Sequence, residues 1–173
     1  EQIFFVTEET SPNLVEEELD KILARTDYDE INVVSALNHF TITQEGFDKH
    51  ALGYDLVAYN ASVDKEKEEL MLSINKKFGI QFYYCFTQDF YQKIKDKEIP
   101  THFNFSGEKF IHHTKKKEKK EIHINLYQNQ VEFFAIENKK IILYNNLDAS
   151  SEVDFLYFIM FTLSKIGFDI NET

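Results

Sequence analysis

From Glu121 to Tyr144 the chain alternates apolar and polar residues in three successive runs, and this pattern constrains the fold more than any other feature. Ile122, Ile124 and Leu126 alternate with His123, Asn125 and Tyr127. After Gln128-Asn129-Gln130 comes Val131 to Ile136, and after Glu137-Asn138 comes Lys140 to Tyr144. A period of two residues is the signature of a strand with two different faces. Turns this short join strands that run antiparallel. The expected unit is a three-stranded meander. Ser150 or Ser151 then offers an N-cap oxygen, with Asp154 in the first turn near the positive end of the helix dipole. Phe155, Leu156, Phe158, Ile159, Met160, Phe161, Leu163 and Ile166 cover nearly every face of that helix, which predicts that it is buried. Gly167 suits its C-terminal end. A meander closed by an apolar helix places the chain in the α/β class.

The preceding segment mixes the same elements. Ile3 to Val6 reads as a strand. Ser11 and Pro12 open a helix to about Arg25, with Glu16, Glu17 and Glu18 near its start and Val15, Leu19, Ile22 and Leu23 on its apolar stripe. Ile31 to Ala36 is a second strand, and His39 to Thr43 is expected to continue it or pair with it. Between Gln44 and Lys67 the pattern is weak, although Phe47, Leu52, Leu56 and Val57 fit a helix. Leu70 to Leu72 and Ile80 to Phe86 form a hairpin through Asn75 to Gly79. Thr87 caps a short helix bearing Phe90, Tyr91 and Ile94, which Pro100 ends. Phe103 and Phe105 alternate as in an exposed edge strand. Lys115 to Lys120 reads as a solvated, mobile run that separates two halves, residues 1–114 and 120–173. There is a weak internal echo, which the commonness of capped strand–helix units explains as readily as a repeat does. Ile3 to Val6 followed by Ser11 and an acidic helix start resembles Ile142 to Asn145 followed by Ser150 and Glu152 at the same spacing.

Several chemistries lack their residues. With 17 Phe and 9 Tyr the chain has the apolar area that a disordered protein lacks. The formal net charge is −11, and Arg25 is the only arginine among 19 basic residues. Such a chain repels a phosphate backbone and has few guanidinium forks, so nucleic-acid binding is not expected. No stretch reaches the ~20 apolar residues of a membrane span. Glu1 to Phe5 carries no basic leader, and an opening strand without Met reads as the interior of a longer, cytoplasmic chain. Cys85 stands alone in an apolar strand, which excludes a disulfide framework and marks it as inert core. His102, His112 and His113 near Glu108 lack a spacing that fixes metal geometry, and surface histidines are expected. His123 reads as a hydrogen-bonded strand histidine. Gly107-Glu108-Lys109 lacks the spacing of a phosphate loop. The lysine run reads as a linker, and Asp64 to Glu69 as a solvated turn. No catalytic, metal or cofactor residue is assigned.

Three stretches carry a family resemblance. Lys120 to Asn125, Asn138 to Leu147 and Val153 to Phe158 are similar to the bacterial family called domain of unknown function 3822. The likeness covers residues 120–173 well and about 28–100 loosely. It implies an actin-like ATPase fold, here two incomplete ribonuclease-H-like halves with mixed sheets. The first half would carry an inserted βαβ-type unit. Asn32 to Ala36 and Gln81 to Thr87 also resemble the actin-like cytoplasmic subunits of pilus and type II secretion platforms, which are mainly assembly scaffolds. Actin-like ATPases place Asp-x-Gly in the first β-turn of each half, where the acid holds metal-bound water and the glycine admits phosphate. The equivalent turn here, Asn125 to Gln130, has neither a carboxylate nor a glycine. The resemblance thus implies a non-catalytic interaction or scaffold protein with a protein partner or a homo-oligomeric state and no cofactor. The alternative is a nucleotide-binding protein or ATPase whose acid lies in strands N-terminal to this chain.

Overall fold

The computed structural model describes residues 11–47, 52–127, 130–169 and 171. The strand expected at Ile3 to Val6 and the turn residues Gln128 and Asn129 lie outside them. Helix α1 spans Pro12–Leu23, with Ser11 at the N-cap position but making no side-chain cap bond. Strand β1 is Ile31–Ser35 and β2 is Phe40–Gln44. Helix α2 covers Gly53–Ala58. Strands β3, Glu68–Asn75, and β4, Ile80–Thr87, form the expected hairpin. At its turn the Phe78 N–H donates to Asn75 Oδ1 at 3.0 Å. Helix α3 is Gln88–Lys95, β5 is Thr101–Phe105 and α4 is Ser106–His112. The meander follows as β6, Glu121–Tyr127, β7, Gln130–Glu137, and β8, Lys140–Asp148, and α5, Glu152–Ile166, closes the chain.

The strands form two antiparallel three-stranded sheets, in orders β2-β4-β3 and β6-β7-β8, and one parallel pair, β1-β5. Here the pairing departs from expectation. Segment 39–43 does not continue or pair with β1. It forms β2, which lies antiparallel to β4, with Phe40 opposite Tyr84. Strand β1 instead pairs in parallel with β5, Ser35 opposite Phe105. The reason is Phe40, whose ring joins the central aromatic core and so commits β2 to the β4 sheet. Phe105 is likewise fully buried in that core, although an exposed edge was expected. Helix α3 stops at Lys95, ahead of Pro100, and Thr87 makes no side-chain cap bond.

Strands β4 and β7 sit centrally in their sheets and are covered on both faces. Tyr83 and Cys85 of β4 pack with Val57 of α2 and Leu70 of β3 on one side. On the other side Ile80, Phe82 and Tyr84 meet Phe134 and Ile136 of β7, with Phe105, Ile111 and Tyr144. The second face of β7, Val131, Phe133 and Ala135, packs with Ile159 and Leu163 of α5 and with Phe168. The layers therefore run α2, first sheet, second sheet, α5.

The turn from β7 to β8 has two residues with positive φ, Asn138 at 50° and Lys139 at 66°. Two such residues give the hairpin turn whose twist matches that of its strands. Their N–H groups donate to Glu118 O at 3.3 Å and Lys117 O at 2.9 Å, so the turn is tied to the lysine run. Residues 115–119 are exposed, as a solvated segment should be, and Lys117 Nζ pairs with Glu121 Oε1 at 2.7 Å.

Helix α5 begins and ends as the sequence implies. Ser151 Oγ accepts the Asp154 N–H at 3.2 Å and donates to Asp154 Oδ2 at 2.8 Å. Gly167 takes φ 70°, and the Phe168 N–H reaches back to Leu163 O at 2.9 Å. That is the six-to-one bond of a Schellman end, and buried Phe168 packs in the same cluster as Leu163. The expected all-round burial is not found. Val153, Leu156, Tyr157, Met160 and Phe161 are 46–74% exposed, because the second sheet covers only one side of the helix.

This asymmetry sets a stability contrast. Phe133→Ala is expected to cost roughly 3–5 kcal/mol, since a fully buried ring leaves a cavity. Met160→Ala is expected to stay within about 0.5 kcal/mol of the parent. Urea unfolding of the two variants checks this, and equal losses would show that the outer side of α5 is packed.

Candidate functional site

Strand pairing places a mixed polar and aromatic surface on the inward face of the second sheet. Asn125 stands opposite Glu132, and Glu132 opposite Asn146. One step along, His123 stands opposite Phe134, and Phe134 opposite Tyr144. Directly opposed antiparallel residues share a face. One row is therefore polar and the next is ring-bearing.

Glu132 is the centre of the polar row. It is 1% exposed, and a carboxyl group so placed needs hydrogen bonds from every side. The Tyr144 hydroxyl donates to Glu132 Oε1 at 2.6 Å, and Ser106 Oγ donates to the same oxygen at 3.3 Å. The Asn125 amide donates to Oε2 at 3.2 Å. These donors come from β8, from the start of α4 and from β6. The carboxyl group thus holds parts of the chain far apart in sequence.

The Tyr144 ring fixes the geometry from the other side. Its centroid lies 5.3 Å from Phe40, 5.0 Å from Phe82 and 6.2 Å from Phe105, all edge-on. Edge-on pairs set the positive ring edge against the negative face. Gly107 makes the approach possible. A Cβ at that position would stand 2.4 Å from Tyr144 Cζ, nearer than any real contact. The lone glycine of Gly107-Glu108-Lys109 therefore serves packing. Glu108 beside it is also buried, accepting from Asn75 Nδ2 at 3.1 Å.

The other sequence candidates are dispersed. His112 Nδ1 lies 3.4 Å from Glu108 Oε1, and its ring centroid is 5.4 Å from that of His113. His102 lies on β5, 3.9 Å from Glu30. Among the described residues no three His, Cys, Asp or Glu side chains gather as metal ligands. His123 is half-buried, stacks on Phe134 at 4.7 Å and reaches Glu121 Oε2 at 3.2 Å. Lys117 beside Glu121, helped by His123, holds that carboxyl below its usual range against the opposing effect of burial. Burial pushes the Cys85 thiol up to about 12, so it stays protonated and inert at neutral pH. In the acidic turn, Glu68 meets His39 Nδ1 at 2.5 Å and accepts the Asp64 N–H at 2.9 Å.

Glu132 and its partners escaped the sequence reading. The available signal was a charged residue inside the apolar run Val131-Glu132-Phe133-Phe134-Ala135-Ile136. Its partners Ser106 and Tyr144 are 26 and 12 residues away, and only strand register brings them together.

Parallel and antiparallel sheets flanked by helices, with an antiparallel meander leading into a helix, make this an α/β protein, and its likeness to a solved structure makes the fold actin-like. A solved structure from Bacteroides thetaiotaomicron, described as a protein with actin-like ATPase fold and unknown function, matches with a TM-score of 0.77 at 16% identity. The match covers 95% of this chain and 66% of that one, so the chain spans less than two thirds of its neighbour. The chain belongs to the family described as Protein of unknown function (DUF3822), whose model matches residues 6–173. No curated protein matches it.

Two buried tyrosines separate a used hydroxyl from an unused one. Tyr84 has a buried hydroxyl without a partner among the described residues. Tyr144→Phe is expected to cost about 1–3 kcal/mol, because Glu132 loses its shortest bond. Tyr84→Phe is expected to be neutral or stabilising by up to about 1 kcal/mol, because an unsatisfied group is removed. Thermal and urea unfolding of both variants test the assignment. A loss at Tyr84 as large as at Tyr144 would show that its hydroxyl is bonded.

Gly107→Ala is expected to lower stability by roughly 1–3 kcal/mol through overpacking against the Tyr144 ring. A variant as stable as the parent would mean that the ring yields freely.

Proposed function

We propose that this protein is a non-catalytic interaction or scaffold protein of the bacterial cytoplasm, built on an actin-like frame. In this reading residues 1–114 belong to the first half and residues 120–173 begin the second. The observation that carries it is the outer side of α5, where Val153, Leu156, Tyr157, Met160 and Phe161 form one exposed apolar face. Scattered exposed apolar residues are ordinary, but five on one helix face form a contiguous patch of the kind that marks a contact surface. No described helix is long and apolar enough to cross a membrane. A protein partner is the reading this patch favours.

Glu132 supports the non-catalytic part. It is the carboxyl group that the fold brings beside Asn125, next to the turn where actin-like ATPases hold metal and phosphate. Its oxygens are already engaged by Tyr144, Ser106 and Asn125. A magnesium anchor needs a carboxylate free to face the ion. The second reading, a nucleotide-binding protein or ATPase, requires its acid from elsewhere in the full protein.

Two measurements separate these readings. Magnesium-ATP is expected to leave the melting temperature of the full-length protein unchanged. A magnesium-dependent shift with ATP would promote the nucleotide reading. Leu156→Glu is expected to melt within about 0.5 kcal/mol of the parent while losing its protein contacts in cross-linking. Retention of every contact would refute a docking role for α5.

A further inference from the structure

We propose that the outer face of α5 pairs antiparallel with the same face of a second copy, forming a two-fold homodimer. This rests on the interaction reading above and names the partner. Val153, Leu156, Tyr157, Met160, Phe161 and Ser164 line a shallow groove along that face. The set is symmetric about its own centre, between Phe158 and Ile159. Turning the helix end for end sets Val153 opposite Ser164, Leu156 opposite Phe161 and Tyr157 opposite Met160. A two-fold interface demands this self-complementarity, in which each residue meets a counterpart that meets it in return.

The charges follow the same symmetry. No charged residue lies between Asp154 and Lys165. Glu152 stands exposed in the first turn and Lys165 exposed in the last. In the antiparallel pair, Glu152 of each copy meets Lys165 of the other, and the two helix dipoles oppose. A parallel pair would set like against like at both ends. In the free chain Lys165 Nζ lies 5.2 Å from the Phe161 ring centroid, at the edge of the groove. Tyr157 and Phe161 stack at 5.9 Å and present two rings side by side. The uncovered apolar surface continues on β6. Ile124 and Leu126 are exposed on the sheet face that α5 covers elsewhere, opposite Phe133 and Val131. An anionic bilayer is the poorer occupant, because Lys165 is the helix's one cation and the chain carries a net charge of −11.

Sedimentation equilibrium of the full-length protein over a range of concentrations tests the pairing. A reversible monomer–dimer equilibrium is expected, and Met160→Glu is expected to abolish it. Glu152→Lys and Lys165→Glu are each expected to weaken the dimer about tenfold, and the double exchange to restore it. A dimer indifferent to these exchanges would overturn the arrangement. A monomer at every concentration would also overturn it, and the melting temperature of Met160→Glu would then locate the failure. If that variant melts like the parent, the face is free and the interaction reading stands with another partner. If it melts far lower, the chain itself covers the face and both readings fall.

Discussion

The hydrogen bond from the Tyr144 hydroxyl to Glu132 is the constraint on which the middle of the molecule depends. It joins β8 to β7 within one sheet, while the same ring meets Phe40 and Phe82 of the other. Ser106 brings α4 to the same carboxyl group, and Gly107 lets the ring pass close to the helix. A buried polar group with all its partners specifies one arrangement, because any shift in register strands it without bonds. Apolar packing alone tolerates such shifts more readily.

That arrangement accounts for the two central strands. Residues 80–85 of β4 and 131–136 of β7 are buried without a break. Each strand turns one face to the shared aromatic core and the other to a helix. The second sheet covers only the inward side of α5, so the apolar residues on the opposite side of that helix stay in contact with solvent. The exposure of Tyr157 and Leu156 is thus a consequence of layer order.

The same core bears on chemistry. An actin-like frame can hold nucleotide where its turns present acids and glycines to phosphate. Here the Glu132 carboxyl group is buried and bound to three donors, and Gly107 packs against the Tyr144 ring. Both residues are used to join elements of the frame. In the interaction reading proposed above, the exposed apolar side of α5 is the surface offered to a partner.

Much of the frame was legible in the residues. The period-two runs from Ile122 to Tyr144 determined the meander, Asn75 to Gly79 the hairpin, and Ser151 and Gly167 the two ends of α5. Each is a local signal, carried by neighbours in the chain and by backbone preferences that need no distant partner. Tertiary structure decided what depended on distance. Pairing of β2 with β4 followed from the seat of Phe40 in a core assembled from both sheets. The role of Glu132 followed from register, which alone aligns it with Tyr144, Asn125 and Ser106. Hydropathy overstates the burial of α5, because it gives which side chains water disfavours, whereas a packed layer must exist to remove them from it. For Phe133 that layer is α5, while no described element covers the outer face of α5 itself.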